Sequence, residues 1–321
     1  MSLESVQSMS LWSDNTRQLA FRLLAIGAIA IALTVVSEAF FTANNMLNVL
    51  RQASLLFLLS SGLTLVILTG GLDLSVGANI ALSGCLAGSV IEATGSPWLG
   101  AAAGVGVGAF IGVLNGLLIT RLRLPAFIAT YGMMWVINGL TYYFMAGRTI
   151  GGFPAAFRHL GSGYVFGIPV PVYLMAAVLA AGVALMRYTV YGKQIYAIGA
   201  NATAAELSGI PVRRLQLVVY TVSGATAGLA AVVFLARLNS ADADMGSTLL
   251  LPSLAAVLIG GTSLFGGVGS VAGTFIGAVL LTLILNGTNI LAINSNWHPL
   301  IAGVIIVAAV FFDRIVRREP Q

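Results

Sequence analysis

The chain has 321 residues, of which 58% are hydrophobic and only 8% charged, and its formal net charge is +5. Soluble globular proteins carry about 25% charged residues, so this composition excludes an ordinary soluble domain and indicates a polytopic membrane protein. The single cysteine, Cys85, excludes an internal disulfide and is expected to be a buried small apolar residue. Because the N-terminal region carries Glu4 and Asp14 and lacks a cleavage site, we interpret residues 1–17 as a cytoplasmic tail rather than a signal peptide.

Apolar segments recur along the chain at a length suited to crossing a bilayer, which takes about 20 helical residues. The sequence therefore predicts an all-α bundle of about ten transmembrane helices within residues 18–313, followed by a cytoplasmic tail at 314–321. The segments are 18–37, 50–70, 76–92, 97–120, 125–146, 168–187, 215–236, 248–263, 270–287 and 297–313. The third, eighth and ninth are short, so tilted, re-entrant or broken helices are expected there.

The second and third segments are joined by LTGGLDLSVG, residues 68–77, which places Asp73 among apolar residues and glycines. It is the only acidic residue expected near a helix interior, where a charge is costly and usually has a function. A carboxylate after a Gly-Gly break can accept hydrogen bonds from freed N–H groups at Ser75 and Val76. We interpret Asp73 as a cap that fixes the bend, with a role in gating or solute binding as the alternative.

The fourth segment contains glycines at every fourth position, which form one smooth stripe on a helix. Such a stripe lets a neighbouring helix approach closely, so we expect tight helix packing rather than a ligand site. The four residues are Gly104, Gly108, Gly112 and Gly116.

Two loops stand out by their length. Residues 146–169 fall outside on the predicted topology, and their Gly, Pro and aromatic content predicts an ordered surface loop. Residues 187–216 fall inside and include NATAAELSGI, whose Ala-rich stretch predicts a short helix ended by Gly209 and Pro211. A helix lying outside the membrane between two spans is expected of a protein driven by a cytoplasmic partner.

A second glycine motif, LIGGTSLFGGVGSVAGTFIGA, occupies residues 258–278. It imitates a dinucleotide fingerprint but follows a transmembrane run instead of a strand, so a glycine-rich bend between helices is predicted. Its IGGTSLFGG shares the spacing of TGGLDLSVG, and transporters built from internal repeats place broken, glycine-rich segments at their pathway. The predicted helix breaks or gates are Gly70, Gly71, Asp73, Ser75, Gly77, Gly260, Gly261, Gly266 and Gly267.

The distribution of basic residues supports an even number of spans with both termini in the cytoplasm. With that topology, only four of the 15 basic residues lie outside, namely Arg51, Arg148, Arg158 and Arg237. One missed span would remove this bias. The positive net charge therefore needs no nucleic-acid partner.

Several chemistries are not supported by the residues. The only lysine, Lys193, precedes Gln194, so the chain has no phosphate loop for its own ATP hydrolysis. The chain has two histidines far apart in sequence and one cysteine, so the sequence predicts no metal site, and neither a cofactor nor an enzyme activity is expected. Asp73 alone gives thin support for an ion-coupled carrier, which stays open as an alternative together with a channel.

Four motifs in order resemble the ribose/xylose/arabinose-type permease subunits of bacterial ABC importers. They are LTGGLDLSVG, LPAFIATYGMM at 124–134, YGKQIYAIGANATAAELSGI at 191–210, and the second glycine motif. The resemblance implies a type II permease of the inner membrane that moves a monosaccharide into the cytoplasm. It also implies three partners: an ATP-binding subunit, a periplasmic sugar-binding protein and a second permease chain. Branched-chain amino acid permeases are the nearest competing subfamily.

The resemblance further implies that the inner loop couples the permease to the ATPase subunit. The residues that would do so are Tyr191, Gly192, Lys193, Ala204, Ala205, Glu206, Leu207, Gly209 and Ile210. Two departures from the family pattern stand out. Glu206 replaces a residue that is commonly basic, and LLLPSLAA at 249–256 lacks the usual Glu-Leu-Asp-like carboxylates.

Sugar recognition relies on amides, hydroxyls and aromatic faces more than on charges. Candidates for the solute pathway are Asn79, Asn115, Tyr131, Trp135 and Asn138, each of which would equally suit helix packing. Asp242 and Asp244 are expected at the outer surface, either in a solvated loop or against the binding protein.

Overall fold

The computed structural model describes residue 24 and residues 26–316, with only the backbone described at 295, 309, 310 and 312–316. The tail predicted at 1–17, the start of the first predicted segment and residues 317–321 lie outside the described residues. Within the described range the chain is almost entirely helical, with only four two-residue strands, so the all-α prediction is confirmed.

Thirteen helices follow one another along the described chain. They are α1 (Ile26–Val36), α2 (Ala43–Leu68), α3 (Val76–Thr94), α4 (Pro97–Thr120), α5 (Ala126–Met145), α6 (Ala155–Ser162), α7 (Val170–Tyr188), α8 (Val190–Ala200), α9 (Ala202–Leu207), α10 (Val212–Leu238), α11 (Leu250–Ile259), α12 (Val271–Ile290) and α13 (His298–Val316). The strands are β1 (Ile150–Gly151), β2 (Tyr164–Val165), β3 (Ile168–Pro169) and β4 (Ser240–Ala241), and a 3-10 turn covers Ser295–Trp297.

All helices except α6, α8 and α9 coincide with the ten predicted segments. Six of them, α2, α3, α4, α7, α10 and α12, are both long and apolar enough to cross a membrane. Of the three segments expected to be short, α3 has 19 residues and α12 has 20, and only α11, with 10 residues, is a short helix. Turns at 243–249 stand where the start of a full-length α11 would be.

Local capping residues explain where several helices begin and end. The Ser96 hydroxyl accepts a hydrogen bond from the Leu99 N–H at 3.4 Å and so caps α4. Pro97 follows at the first helical position, where the N–H that proline lacks would have no partner within the helix. The Ser270 hydroxyl caps α12 through the Gly273 N–H at 2.9 Å. At the end of α3, Gly95 adopts φ +67°, a left-handed conformation that stops the helix.

The core is built around α2, which is buried along nearly all of its second half. It packs against α10, α12, α11 and α7, whereas α7 itself leaves most of its surface exposed. The Phe57 ring on α2 meets Phe275 of α12 edge to face, with ring centroids 5.7 Å apart. Cys85 is fully buried in this core, as predicted.

The glycine stripe of α4 packs directly on α10, and the two helices run antiparallel. A Cβ added at Gly108 would lie 2.7 Å from the Gly228 Cα, and one added at Gly104 would lie 2.9 Å from a Val232 methyl. Such distances leave no room for a side chain, so the two backbones are in contact. The predicted packing role of the stripe is confirmed.

The 146–169 loop is ordered, as predicted, and closes one end of the bundle. β1 pairs antiparallel with β4, with Ile150 opposite Ala241, and β2 pairs with β3 in a hairpin. Arg51, near the start of α2, donates a hydrogen bond to the Tyr164 hydroxyl in that hairpin. We call this end of the bundle, where α2 begins and α10 ends, the Arg51 end, and the opposite end the Asp73 end.

Candidate functional site

Asp73 lies in the linker between α2 and α3 and accepts hydrogen bonds with both carboxyl oxygens. Oδ1 accepts from the Ser75 N–H at 3.1 Å and the Ser75 hydroxyl at 2.6 Å, and Oδ2 accepts from the Ser223 hydroxyl of α10 at 3.0 Å. Ser75 itself occupies the N-cap position of α3 without a capping bond from its side chain. The Asp73 carboxyl, two residues before the N-cap residue Ser75, therefore binds Ser75 and connects it to Ser223 of α10.

Side chains from three further positions hold the same linker. The Asn115 amide of α4 donates to the Ser75 hydroxyl at 2.7 Å, and its Oδ1 atom is buried without a hydrogen-bond partner in the described chain. The Tyr220 hydroxyl of α10 and the Thr130 hydroxyl of α5 both donate to the Leu72 carbonyl, at 3.2 Å and 3.3 Å. The bend predicted from the Gly-Gly pair is thus fixed by side chains from α4, α5 and α10.

The Asp73 carboxyl is held by hydrogen bonds, and not by a cation of the described chain. Burial raises the pKa of the Asp73 carboxyl, and the hydrogen bonds from Ser75 and Ser223 act in the opposite direction. Among the described residues no ion pair reaches this carboxyl, and no group of three or more His, Cys, Asp or Glu could hold a metal ion. The geometry suits an element that fixes the bend better than it suits a metal site.

The second glycine motif forms a turn between α11 and α12, as predicted. Gly260 ends α11 against Gly273, near the start of α12, and Gly261, Gly266 and Gly267 all have positive φ. The Gly267 N–H donates to the Leu68 carbonyl at the end of α2, at 3.0 Å. The two glycine motifs whose spacing matches in the sequence are therefore in direct backbone contact at the Asp73 end.

The loop predicted at 187–216 contains two helices rather than one. The Thr189 hydroxyl caps α8 through the Gly192 N–H at 3.3 Å, and the Asn201 side chain caps α9 through the Ala204 N–H at 2.9 Å. The predicted stop after α9 is present, with Gly209 at φ +81°. The short helix itself was predicted; α8 was not, because its apolar residues resemble a continuation of the preceding span.

The α9 helix has one buried face and one exposed face. Ala205 packs with Ile198 of α8 and with Val212 and Leu215 of α10. On the other face Leu207 is 85% exposed, and Glu206 beside it is also exposed. Residues 201–204 and 206–209 are all exposed, so this face of α9 is available on the surface of the described chain.

At the entry to this loop Tyr191 and Lys193 are exposed, whereas Gly192 is buried. A Cβ at Gly192 would lie 2.6 Å from the Met186 Cα, so glycine permits the tight turn from α7 into α8. The Gly209-Ile210 pair forms the return to α10, with the Ile210 N–H donating to the Ala205 carbonyl at 3.0 Å.

The end of α8 touches both glycine motifs at once. A Cβ added at Gly199 would overlap the Leu68 carbonyl oxygen and lie 3.0 Å from the Gly267 Cα. The Tyr196 hydroxyl, one turn earlier, donates to the Gly269 carbonyl at 2.8 Å. Burial raises the pKa of Tyr196, so this donor keeps its proton near neutral pH. We call the contact of Leu68, Gly199 and Gly267 the glycine junction.

The five predicted pathway residues fall into two groups. Asn79 and Asn115 are buried inside helix packing, where the Asn79 amide donates to the Gly108 carbonyl at 3.3 Å and Asn115 holds Ser75. Tyr131, Trp135 and Asn138 lie on α5, with the first two exposed and their rings in edge-to-face contact at 6.4 Å. Of the five, Tyr131 and Trp135 are exposed, Asn138 is half-buried, and Asn79 and Asn115 are buried.

Three residues of the site, Ser223, Tyr220 and Gly199, have no local sequence pattern from which their role could be predicted. Ser223 and Tyr220 reach the linker from about 150 residues further along the chain, and Gly199 is one of 38 glycines. A cavity at the Arg51 end was not predicted either, because its lining comes from separate stretches of the sequence. Only three-dimensional packing brings these residues together.

Comparison with known proteins identifies relatives along almost the whole chain. A family model described as "Branched-chain amino acid transport system / permease component" matches residues 45–310. The ribose import permease protein RbsC of Escherichia coli (strain K12) is 38% identical over 295 residues, which cover 91% of this chain and 92% of that protein.

Two further relatives are named for other sugars. The D-allose transport system permease protein AlsC of Escherichia coli (strain K12) is 37% identical over 302 residues, covering 93% of this chain and 91% of AlsC. The fructose import permease protein FrcC of Rhizobium meliloti is 33% identical over 313 residues, covering 94% of this chain and 84% of FrcC. The chain is thus similar to import permeases over its helical core, the linker at Asp73 and the loop with α8 and α9.

Proposed function

Because the chain belongs to the family of ABC importer permease components, a group of multi-pass membrane proteins, we propose that it forms the membrane pathway through which a monosaccharide enters the cytoplasm. The observation that carries the proposal is the 38% identity to a ribose import permease over 91% of this chain. Relatives named for allose and fructose support a monosaccharide as the class of solute without selecting one sugar.

ATP hydrolysis is assigned to a separate ATP-binding subunit. The chain has no phosphate loop, and the exposed face of α9 offers that subunit an apolar contact at Leu207. The α8–α9 segment reaches both glycine motifs through the glycine junction, so a displacement of α9 has a short backbone route to α2 and α12. A periplasmic sugar-binding protein and a second permease chain complete the proposed importer.

The proposed orientation places the Asp73 end and the 187–216 coupling loop in the cytoplasm. The positive-inside distribution supports this, since the four basic residues predicted outside include Arg51 and Arg237, which lie together at the Arg51 end. Residues 18–313 would form the permease domain, and the tails at 1–17 and 314–321 would be cytoplasmic.

Uptake in intact cells tests the solute class. A strain that carries the chain with its ATP-binding subunit and binding protein is expected to accumulate at least one of radiolabelled D-ribose, D-allose and D-fructose, and deletion of this chain should abolish that uptake. Radiolabelled L-leucine serves as the control for the competing amino acid class. Accumulation of leucine and of none of the sugars would overturn the proposal in favour of that class.

A further inference from the structure

A cavity of about 590 Å³ opens at the Arg51 end, between the outer parts of four long helices and the start of the short α11. Ligand sites for small molecules typically measure about 300–1,000 Å³ and combine an apolar wall with a few polar groups. This cavity has that mixture, with Leu55, Phe234 and Leu285 on its apolar side. Its polar lining consists of Gln52, Arg237, Ser247, Thr248, Thr282, Asn296 and His298.

The cavity exists because α11 begins late. Turns at 243–249 replace what would be the first turns of a full-length helix, and Gly246 at φ +89° allows the chain to double back there. Leu251 and Pro252, in the first turn of α11, form the floor. Among the polar lining residues, His298 is held in place by a hydrogen bond between its Nε2 and the Thr288 hydroxyl at 2.9 Å.

The charged residue that lines the cavity, among the described residues, is a cation. This residue is Arg237, and its charged neighbour among the described residues is a second cation, Arg51. No described aspartate or glutamate lines the cavity. The acidic loop residue Asp244 lines an adjoining small cavity that shares Ser247 with this one, and its carboxyl accepts a hydrogen bond from the Tyr142 hydroxyl. A guanidinium that is partly withdrawn from water is costly when it has no acceptor, and no described residue accepts a hydrogen bond from Arg237, so oxygen acceptors on a solute would stabilise it.

We propose that this cavity is a binding site for the solute on its way into the pathway, and that Arg237 is its specificity-determining residue. The planar guanidinium donates two parallel hydrogen bonds to adjacent oxygens, which a monosaccharide offers as vicinal hydroxyls and a sugar acid offers as a carboxylate. Leu55 and Phe234 contact the apolar face of the ring. This inference rests on the proposed function, because it takes the solute to be a sugar.

Cysteine labelling measures the charge of the cavity without any transport step. Thr248 is exposed and lines this cavity, so Thr248→Cys provides a reactive thiol, while the native Cys85 is fully buried. An anionic membrane-impermeant methanethiosulfonate is expected to react about tenfold faster than a cationic one of similar size. Arg237→Gln should remove most of that preference, and Arg237→Lys should keep it. Arg158→Gln, at the same end but outside the lining, is the control and should change nothing.

Protection experiments then test binding and the two oxygen sources. Saturating D-ribose, D-allose, D-fructose or D-ribonate is added before labelling of the assembled importer in membranes. At least one is expected to slow labelling severalfold, with D-ribonate reporting the carboxylate and the neutral sugars the vicinal hydroxyls. Arg237→Lys, which lacks the planar fork, should lose the protection while keeping the charge preference.

Equal labelling by the two reagents, or protection that survives Arg237→Gln unchanged, would overturn the inference. These outcomes are separate from failure of the proposed function. If a sugar is imported and Arg237→Gln leaves both its uptake KM and its protection unaltered, only the binding site is wrong. If none of the sugars is imported, the proposed function is wrong. If, in addition, no probe slows the labelling of Thr248→Cys, the binding site is wrong as well.

Discussion

At the scale of single residues, the Asp73 carboxyl shows how an acidic group in a membrane protein is held by hydrogen bonds, with no counter-ion among the described residues. Both oxygens accept hydrogen bonds, and the donors come from the linker itself and from α10. The two bonds from Ser75 are local, and the bond from Ser223 links the bend to a helix that is distant in sequence. The linker therefore keeps its shape because a buried acceptor organises it, and its glycines only make the bend possible.

Substitutions at Asp73 separate the hydrogen-bonding role from the charge. Asp73→Asn retains an oxygen acceptor for the Ser75 N–H, so thermal stability and sugar uptake are expected to remain within about twofold of the original. Asp73→Leu leaves the Ser75 and Ser223 donors buried without acceptors, at a cost of about 1–3 kcal/mol for each group. Its melting temperature in detergent should fall clearly.

Both variants are to be assayed at matched protein levels in the membrane. If Asp73→Asn abolishes uptake while its melting temperature is unchanged, the negative charge itself is required, and the role in gating or solute binding replaces the capping role.

At the scale of helices, glycine decides which elements touch. The α4 stripe lets α10 approach to backbone contact, and Gly199 lets α8 reach the end of α2. In the first case the sequence pattern predicts the contact, because four glycines at every fourth position define a face. In the second case no pattern exists, because a single glycine makes the contact and its partners Leu68 and Gly267 are distant in sequence.

The α4–α10 contact predicts a matched pair of variants. Gly108→Ala places a methyl group against the α10 backbone and is expected to destabilise the protein by about 1–3 kcal/mol through overpacking. Gly106→Ala lies two residues away on the open face and should be neutral or stabilising by up to about 1 kcal/mol. Melting temperatures in detergent measure both. Equal effects of the two substitutions would mean that the helices are not in contact at Gly108.

The glycine junction predicts a variant that separates ATP hydrolysis from transport. Gly199→Ala forces α8 away from Leu68 and Gly267, so the assembled importer should keep most of its ATPase rate while sugar uptake falls about tenfold. Gly132→Ala on α5, where a methyl group meets open space, is the control and should leave both rates unaltered. If the Gly199→Ala importer transports as much sugar per ATP hydrolysed as the original, the glycine junction does not couple ATP hydrolysis to transport.

At the scale of the whole molecule, the two ends of the bundle have different surfaces. The Asp73 end carries the α8–α9 segment with its exposed Leu207, and the Arg51 end carries the ordered 146–169 loop and the cavity at Arg237. The Arg51 end is a continuous surface, because β1 of the loop pairs with β4 and Arg51 donates a hydrogen bond to Tyr164 of the loop. Two unlike ends suit a component that meets one partner on each side of a membrane.

A pair of exposed apolar residues tests this assignment of the ends. Leu207→Asp, on α9, is expected to reduce co-purification of the ATP-binding subunit at least tenfold, because it places a charge where the contact is apolar. Phe166→Asp changes a side chain that is 97% exposed at the opposite end, and co-purification should be unchanged. Loss of the ATP-binding subunit from the Phe166 variant and its retention by the Leu207 variant would reverse the proposed orientation.

Much of the fold could be predicted from the composition and the residue pattern, because each span is an apolar segment of about membrane length and each predicted bend contains glycines. The positions of all ten predicted segments and the short helix at 202–207 follow from such local signals. The length of α11, the separate helix α8 in the 187–216 loop and the cavity at Arg237 could not be predicted, because each depends on how distant segments pack. The same holds for the pathway candidates Asn79 and Asn115, whose amides are engaged in packing.

The central claim is that the energy for transport comes from a separate ATP-hydrolysing subunit and not from an ion gradient acting on this chain. Proteoliposomes test it directly, containing either the chain alone or the chain with its ATP-binding subunit and binding protein. ATP is expected to drive accumulation of the imported sugar only in the complete assembly, with no accumulation by the chain alone under a proton or sodium gradient. Sugar accumulation by the chain alone, powered by either gradient, would contradict the account.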